Sequence, residues 1–291
     1  MKDPSNSPII NDISSKLEDL SPKAQALGNF IMQHPSEAVF MTTKELAEAC
    51  GISEATVVRF VSTLGYKGYS DFQQALKEFV NTGLSLPERA AIKGIKESGV
   101  DRLHRGILEE INNLKHLYET IDVEVMNQFV DHLDQSHTAY VVGSRLSYTF
   151  AYYLGWSLTK IRKGVHILKG SDSTSMDMLT NAPDESLVIM SACTRYPNEL
   201  IKLSKMVRRQ GHTLLALTDS PICPVIPFAH LSLVIPSLSI PFIGNVSGML
   251  AAIQYMVQEL GSRRGEALSG YQKTLEQVYL ENDILFNIDH Q

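Results

Sequence analysis

The stretch TKELAEACGISEATVVRF, residues 43–60, decides how the front of this chain is read. Thr43 can cap a short helix whose Leu46 and Ala47 face inward. Gly51 ends it, because a residue free to take φ > 0 stops a helix without steric cost. Ile52 plugs the turn, and Ser53 caps a second helix with Glu54 and Thr56 in its first turn. Val57, Val58, Phe60 and Val61 form the apolar stripe of that helix. Two short helices joined by about four residues with a turn glycine make a helix-turn-helix, whose second helix can enter a DNA major groove. An ordinary αα-hairpin in a helical bundle would be written the same way.

The flanks choose between these readings. After Leu64 comes Gly65-Tyr66-Lys67-Gly68-Tyr69-Ser70-Asp71-Phe72, then a helix through Val80. The glycine is a stop, the aromatic-basic segment offers Lys67 and Tyr69 to phosphates, and Ser70 is placed to cap the next helix. Upstream, residues 9–33 read as helical: Ile13, Leu17 and Leu20, then Ser21-Pro22 at the spacing of an N-cap and first helical residue, then Ala24, Leu27, Phe30 and Ile31. His34-Pro35 ends that segment. The run TTKELAEACGISEATVVRFVSTLGYKGYSDFQQALKEF resembles the N-terminal DNA-binding domain of RpiR-family transcriptional regulators.

Charge runs against a DNA-binding role. Residues 1–80 carry seven Lys/Arg and ten Asp/Glu, a net of −3. Phosphates must then be met by a local face of Lys44, Arg59 and Lys67, helix N-termini and hydroxyls, doubled by dimerisation. Affinity should be modest and the release of counterions small.

The whole chain of 291 residues is 44% apolar and 20% charged, with a mean hydropathy of −0.06. Those figures fit a soluble globular protein of two domains with a sizeable core. No run reaches the ~18 apolar residues of a membrane span. The first residues, MKDPSNSPIINDISS, lack the basic-then-apolar order of a signal peptide, so a cytoplasmic location is expected. Cys50, Cys193 and Cys223 are far apart, with no CxxC and no paired histidines, so neither a metal, a cofactor nor a disulfide framework is expected.

Residues 81–99 (NTGLSLPERAAIKGIKES and the valine-preceding glycine) lack a sustained apolar stripe and read as a linker. Residues 100–119 are amphipathic, and 123–133 form another helix; the pair can pack on the following domain or join subunits. From Thr138 the periodicity changes. Residues 139–142, 165–168, 186–190, 213–217 and 231–235 are short, nearly all-apolar runs alternating with helical segments. The last helices are 245–260, stopped by the glycine after it, and a continuation to Asp283. Such strands imply a parallel sheet covered on both faces. The fold class expected is therefore an all-α helix-turn-helix head, residues 1–80, followed over 100–291 by a doubly wound α/β domain with a five-stranded parallel sheet.

In such sheets ligands bind beyond the carboxyl ends of the strands, at the switch point. Three hydroxyl-rich loops lie there: 143–147, 170–175 and 191–196. Ser144 and Ser147 precede or open a helix, a natural anion site. Arg195 follows a strand and can act as a phosphate or carboxylate fork.

Residues 138–260 resemble a sugar isomerase (SIS) domain, found in phosphosugar isomerases and phosphosugar-sensing regulators. RpiR regulators have this same order of parts. Gly143 and Ser147 match the family's Gly-x-Gly-x-Ser loop, but Arg145 replaces its second glycine. Ser191 matches the second loop, Ser-x-Ser-Gly-x-Thr-x-Glu, while Cys193, Thr194 and Tyr196 stand where Ser, Gly and Thr are expected. Glu199 lies one position late, with Asn198 in its place. The resemblance implies a ligand site of Ser144, Arg145, Ser147, Ser191, Cys193, Thr194, Arg195 and Tyr196, in which either the two arginines take over anion binding or the ligand is not a phosphosugar.

The expectation is a transcription factor, not an enzyme. As a homodimer or homotetramer it would read a palindromic double-stranded operator through residues 53–63, with Thr43, Lys44, Ser53, Glu54, Thr56, Val57, Arg59, Lys67 and Tyr69 at the DNA. A sugar-derived effector would respace the two heads. One alternative is a phosphosugar isomerase with an appended helical domain, for which Asp172 and Glu199 are the nearest candidate bases. The other is a metabolite-binding adaptor whose head binds protein.

Overall fold

Apolar residues spaced three and four apart in the first third of the chain, and short continuous apolar runs after it, build two different architectures. The computed structural model describes residues 8–83, 85–92, 100–170, 172–237 and 244–285. The chain forms two compact units, Met1–Ile92 and Lys93–Gln291.

The first unit is helical: α1 (Pro8–Lys16), α2 (Pro22–Gln33), α3 (Pro35–Ala38), α4 (Thr43–Ala49), α5 (Glu54–Leu64), α6 (Tyr69–Gly83) and α7 (Leu86–Ile92). Ile13, Leu27, Ile31, Leu46, Phe60, Phe72 and Leu76 are the largest of its fully buried side chains among the described residues. The Phe60 and Phe72 rings meet edge to face, 6.1 Å between centroids. Gly51 (φ 62°) and Gly65 (φ 100°) take the left-handed turns that end α4 and α5.

Two caps differ from expectation. Thr42, not Thr43, caps α4: its Oγ1 accepts the Glu45 N–H at 3.2 Å, and its own N–H donates to Glu45 Oε2 at 2.7 Å. The reciprocal pair satisfies two amide donors that a Thr43 cap would leave open. Helix α6 begins at Tyr69, so Ser70 lies inside it; Asp71 instead accepts the Lys67 N–H at 3.0 Å. Of the stretch 81–99, α6 and α7 take most of 81–92, and 93–99 lie outside the described residues.

The second unit runs α8 (Val100–Thr120), α9 (Val123–Gln135), β1 (Ala139–Gly143), α10 (Leu146–Leu158), β2 (Val165–Lys169), α11 (Thr174–Thr180), β3 (Leu187–Ala192), α12 (Asn198–Arg209), β4 (Thr213–Thr218), β5 (Leu231–Val234) and α13 (Val246–Glu281). The strands are all parallel, in the order β2-β1-β3-β4-β5. The order reverses between β1 and β3, which is the switch point. Alternation along β3 divides the core. Leu187 and Ile189 pack with Phe129 of α9, Phe150 and Leu154 of α10 and Met249 of α13. Val188, Met190 and Ala192 pack with Leu179 of α11 and Leu200 and Leu203 of α12.

The last helix does not stop at Gly261. It continues and breaks at Gly265 (φ 49°, ψ −122°), and beyond the break Tyr271 donates to the Thr159 carbonyl at 2.9 Å while Lys160 donates to the Tyr279 hydroxyl at 2.6 Å. Among the described residues no helix is long and apolar enough to cross a membrane.

Candidate DNA-facing helix and switch-point crevice

Helix α5 is capped by Ser53, whose Oγ accepts the Thr56 N–H at 3.3 Å and lies 2.9 Å from Thr56 Oγ1. That pairing turns Thr56 inward, and Thr56 and Val57 are buried with Phe60, Val61 and Leu64. Neither can meet a base, so both leave the expected DNA face: the helical stripe of 57, 60, 61 and 64 points to the core. The outward face is instead Glu54, Ala55, Val58, Arg59 and Ser62. Val58, assigned above to the apolar stripe, is 50% exposed. Its phase, one residue off the stripe, is the signal that could have placed it outside.

Thr43 Oγ1 donates to Glu54 Oε2 at 2.9 Å, tying the start of α4 to the start of α5. Lys44 and Lys67 are exposed. Arg59 is exposed and its Nε donates to the Ala55 carbonyl at 3.2 Å. Tyr69 is not offered to phosphates. Its hydroxyl donates to the Met41 carbonyl at 2.5 Å, and burial pushes it up to about 12. It fastens α6 to the α3–α4 connection.

In the second unit the ends of β1 and β3 bring most of the expected ligand residues together. Gly143 ends β1, and a Cβ there would sit 2.4 Å from the Ser147 carbonyl oxygen. Only glycine lets α10 come this close to the strand. Arg145 then sits at φ 55°, ψ −128°, a backbone that glycine takes freely and L-residues avoid. The side chain replaces the family's glycine, but the glycine geometry stays. Across the crevice, Arg195 is at φ 68°. Both arginines are exposed.

The hydroxyls of the β1 loop are already engaged. Ser144 is buried and donates to Glu199 Oε1 at 2.7 Å, joining the β1 loop to the start of α12. This bond, with Arg145 nearby, holds the Glu199 carboxyl below its usual range. Ser147 Oγ accepts the Cys193 N–H at 3.0 Å, a second link across the switch point. Ser191 belongs to β3 rather than to a loop; its buried Oγ makes no hydrogen bond among the described residues. Cys193 is buried, and burial raises its thiol well above the ordinary range.

Asp219, one residue beyond β4, organises the Arg195 loop. Its carboxylate accepts the Thr194 N–H at 2.9 Å, the Thr194 hydroxyl, and the Tyr196 hydroxyl at 3.3 Å. Thr194 and Tyr196 therefore brace the loop, both hydroxyls being donated to Asp219. Burial raises the Asp219 carboxyl, and the Thr194 bonds oppose that rise. Replacing Asp219 by Ala strands these donors, each costing about 1–3 kcal/mol. We expect Asp219→Ala to destabilise the second unit by about 2–4 kcal/mol in urea unfolding, while Asp219→Asn loses less because it still accepts.

Of the third loop, Asp172 is exposed and accepts the Thr174 N–H at 3.0 Å, at the first residue of α11. Two concavities lie elsewhere in this unit. One, about 470 Å³, is at the amino ends of the strands, lined by Ser136, His137, Arg162, Arg264 and Tyr271. The other, about 280 Å³, is apolar and lies between α8 and α13. Among the described residues no three His, Cys, Asp or Glu are grouped to hold a metal ion.

Comparison with known proteins agrees with this geometry in both halves. The helix-turn-helix domain of the rpiR family matches residues 8–83, and the SIS domain matches residues 132–258. The HTH-type transcriptional regulator HexR of Pseudomonas aeruginosa is 24% identical over 212 residues, covering 72% of this chain and 73% of that protein. An Escherichia coli HTH-type transcriptional regulator, YfhH, is 25% identical over 211 residues, covering 71% and 73%. Among solved structures, Vibrio vulnificus NanR complexed with ManNAc-6P has a TM-score of 0.57 at 19% identity, covering 94% of this chain and 98% of that one. The sugar isomerase domain of a Sphaerobacter thermophilus RpiR transcription factor has a TM-score of 0.55 at 21% identity, covering 59% and 96%. With an rpiR-type helix-turn-helix ahead of a SIS domain, this chain belongs to the RpiR family of transcriptional regulators.

Proposed function

We propose that this regulator is a cytoplasmic homodimer or homotetramer that grips a palindromic operator and senses an anionic, sugar-derived metabolite in the switch-point crevice. The observation that carries the effector half is the pair Arg145 and Arg195. Each holds a cationic side chain in a strained backbone, one on either side of the crevice. Strain of this kind costs about 1–3 kcal/mol per residue and gathers at ligand sites. A phosphosugar suits two guanidinium groups, and the ligand named for NanR is a sugar phosphate.

For DNA, Ala55 and Val58 offer apolar contact to thymine methyls, while Ser53, Glu54 and Arg59 flank them and Lys44 and Lys67 meet phosphates. Self-association is supported by α8, whose Leu103, Ile107, Leu108 and Tyr118 are 62%, 49%, 58% and 87% exposed. A stripe of that size on one helix suits a second copy.

The test has two arms. In gel shifts at low salt with the chain's own upstream region, Arg59→Ala should weaken binding about tenfold without loss of stability. In a thermal-shift panel of sugar phosphates, sugar acids and amino sugars, a sugar phosphate should raise the melting temperature, and Arg145→Gly should fold yet lose most of that rise. No specific shift with DNA, or an undiminished response in Arg145→Gly, would sink the respective half.

A further inference from the structure

The donors that the crevice would offer to an anion are turned toward an anion the protein supplies itself. Ser144 has a single hydroxyl hydrogen, its side chain is buried, and that hydrogen is donated to Glu199 Oε1 at 2.7 Å. Glu199 is the second residue of α12, so its carboxylate reaches from the β3 side of the switch point to the turn after β1. Arg145, next in sequence to Ser144, is close enough to act on the same carboxylate. The hydroxyl read above as an effector ligand is thus engaged by an internal carboxylate, with the guanidinium of the next residue adding to the field on it.

We propose that Glu199 is an internal competitor for the effector's anionic group: it takes the Ser144 hydroxyl hydrogen and must be displaced when a phosphate binds. This rests on the reading of the crevice as an anion site. Two anions do not share one hydroxyl hydrogen, and their mutual repulsion adds to the cost of bringing the second one in. Glu199 therefore sets the affinity, so that weak anions are kept out and only a ligand with further contacts to the sugar-facing parts of the crevice wins. The carboxylate is half-exposed at the crevice rim, so displacement needs a change of side-chain rotamer rather than unfolding.

The experiment is calorimetric titration of the full chain with inorganic phosphate at fixed ionic strength. Glu199→Gln keeps the shape and removes the charge. It should bind phosphate about tenfold more tightly than the parent, equivalent to about 1.4 kcal/mol. Ser144→Ala should bind phosphate more weakly, and adding Glu199→Gln to it should give back less than the full tenfold, because the contested donor is gone. Equal or weaker binding by Glu199→Gln, with Ser144→Ala and Arg145→Gly still weakening binding, overturns the competitor role and leaves the anion site standing. If Ser144→Ala and Arg145→Gly leave phosphate binding unchanged, the crevice reading fails and the competitor role with it.

Discussion

Gly143→Ala should cost the second unit more than about 3 kcal/mol, or leave the chain insoluble. The added Cβ would lie 2.4 Å from the Ser147 carbonyl oxygen, 2.7 Å from the Ser147 carbonyl carbon and 2.8 Å from Ala151 Cβ. Two of these three atoms are backbone, so no side chain can swing aside. Overpacking a core usually costs about 1–3 kcal/mol, and here the strand must part from the helix. The Gly143 carbonyl also accepts the Gly170 N–H at 2.7 Å, so moving it disturbs the neighbouring loop. Denaturant unfolding reads the loss directly. A variant within about 0.5 kcal/mol of the parent would show that α10 does not approach β1 as closely as described.

The second large effect belongs to the head. Phe60→Ala should remove about 3–5 kcal/mol, the usual loss for deleting a buried phenylalanine. Phe60 is 1% exposed and its ring meets Phe72 and lies near Gly28 of α2, so the void opens where α2, α5 and α6 meet. A domain this small has about 5–15 kcal/mol to lose at most. Operator binding should therefore fall steeply with temperature, while the second unit, which has its own core, keeps its ligand response. Gel shifts across a temperature series, beside thermal shifts with an effector, separate the two units. Loss of both activities together would mean that the units do not fold independently.

Much of this architecture is legible in the residues because the physics is local. Gly51 and Gly65 announce left-handed turns, and five short apolar runs leave little choice but a parallel sheet covered on both faces. What is not legible depends on phase and on distant partners. The run Val57-Val58 contains two identical side chains, and only the rotation of α5 about its axis decides that one is buried and the other faces out. Thr42 and Thr43 are equally good caps by type; Glu45, three residues after Thr42, settles the matter through a reciprocal bond. Tyr69 reads as a phosphate contact until Met41, far off in sequence, takes its hydroxyl. Asp219 carries no motif at all. Its importance comes from a fold that sets the end of β4 beside the β3 loop. The break at Gly265 is similarly silent, since a glycine inside a helical pattern is tolerated more often than not.

The left-handed backbone at Arg145 and Arg195 has a use in sorting relatives of this fold. A glycine at either position would relieve the local torsion but offer an anion no side chain; an arginine there accepts a standing conformational penalty to reach outward with a guanidinium. Proteins that carry arginine at both places should group by how they hold their ligand, through side-chain forks rather than main-chain cradles, whatever sugar they bind.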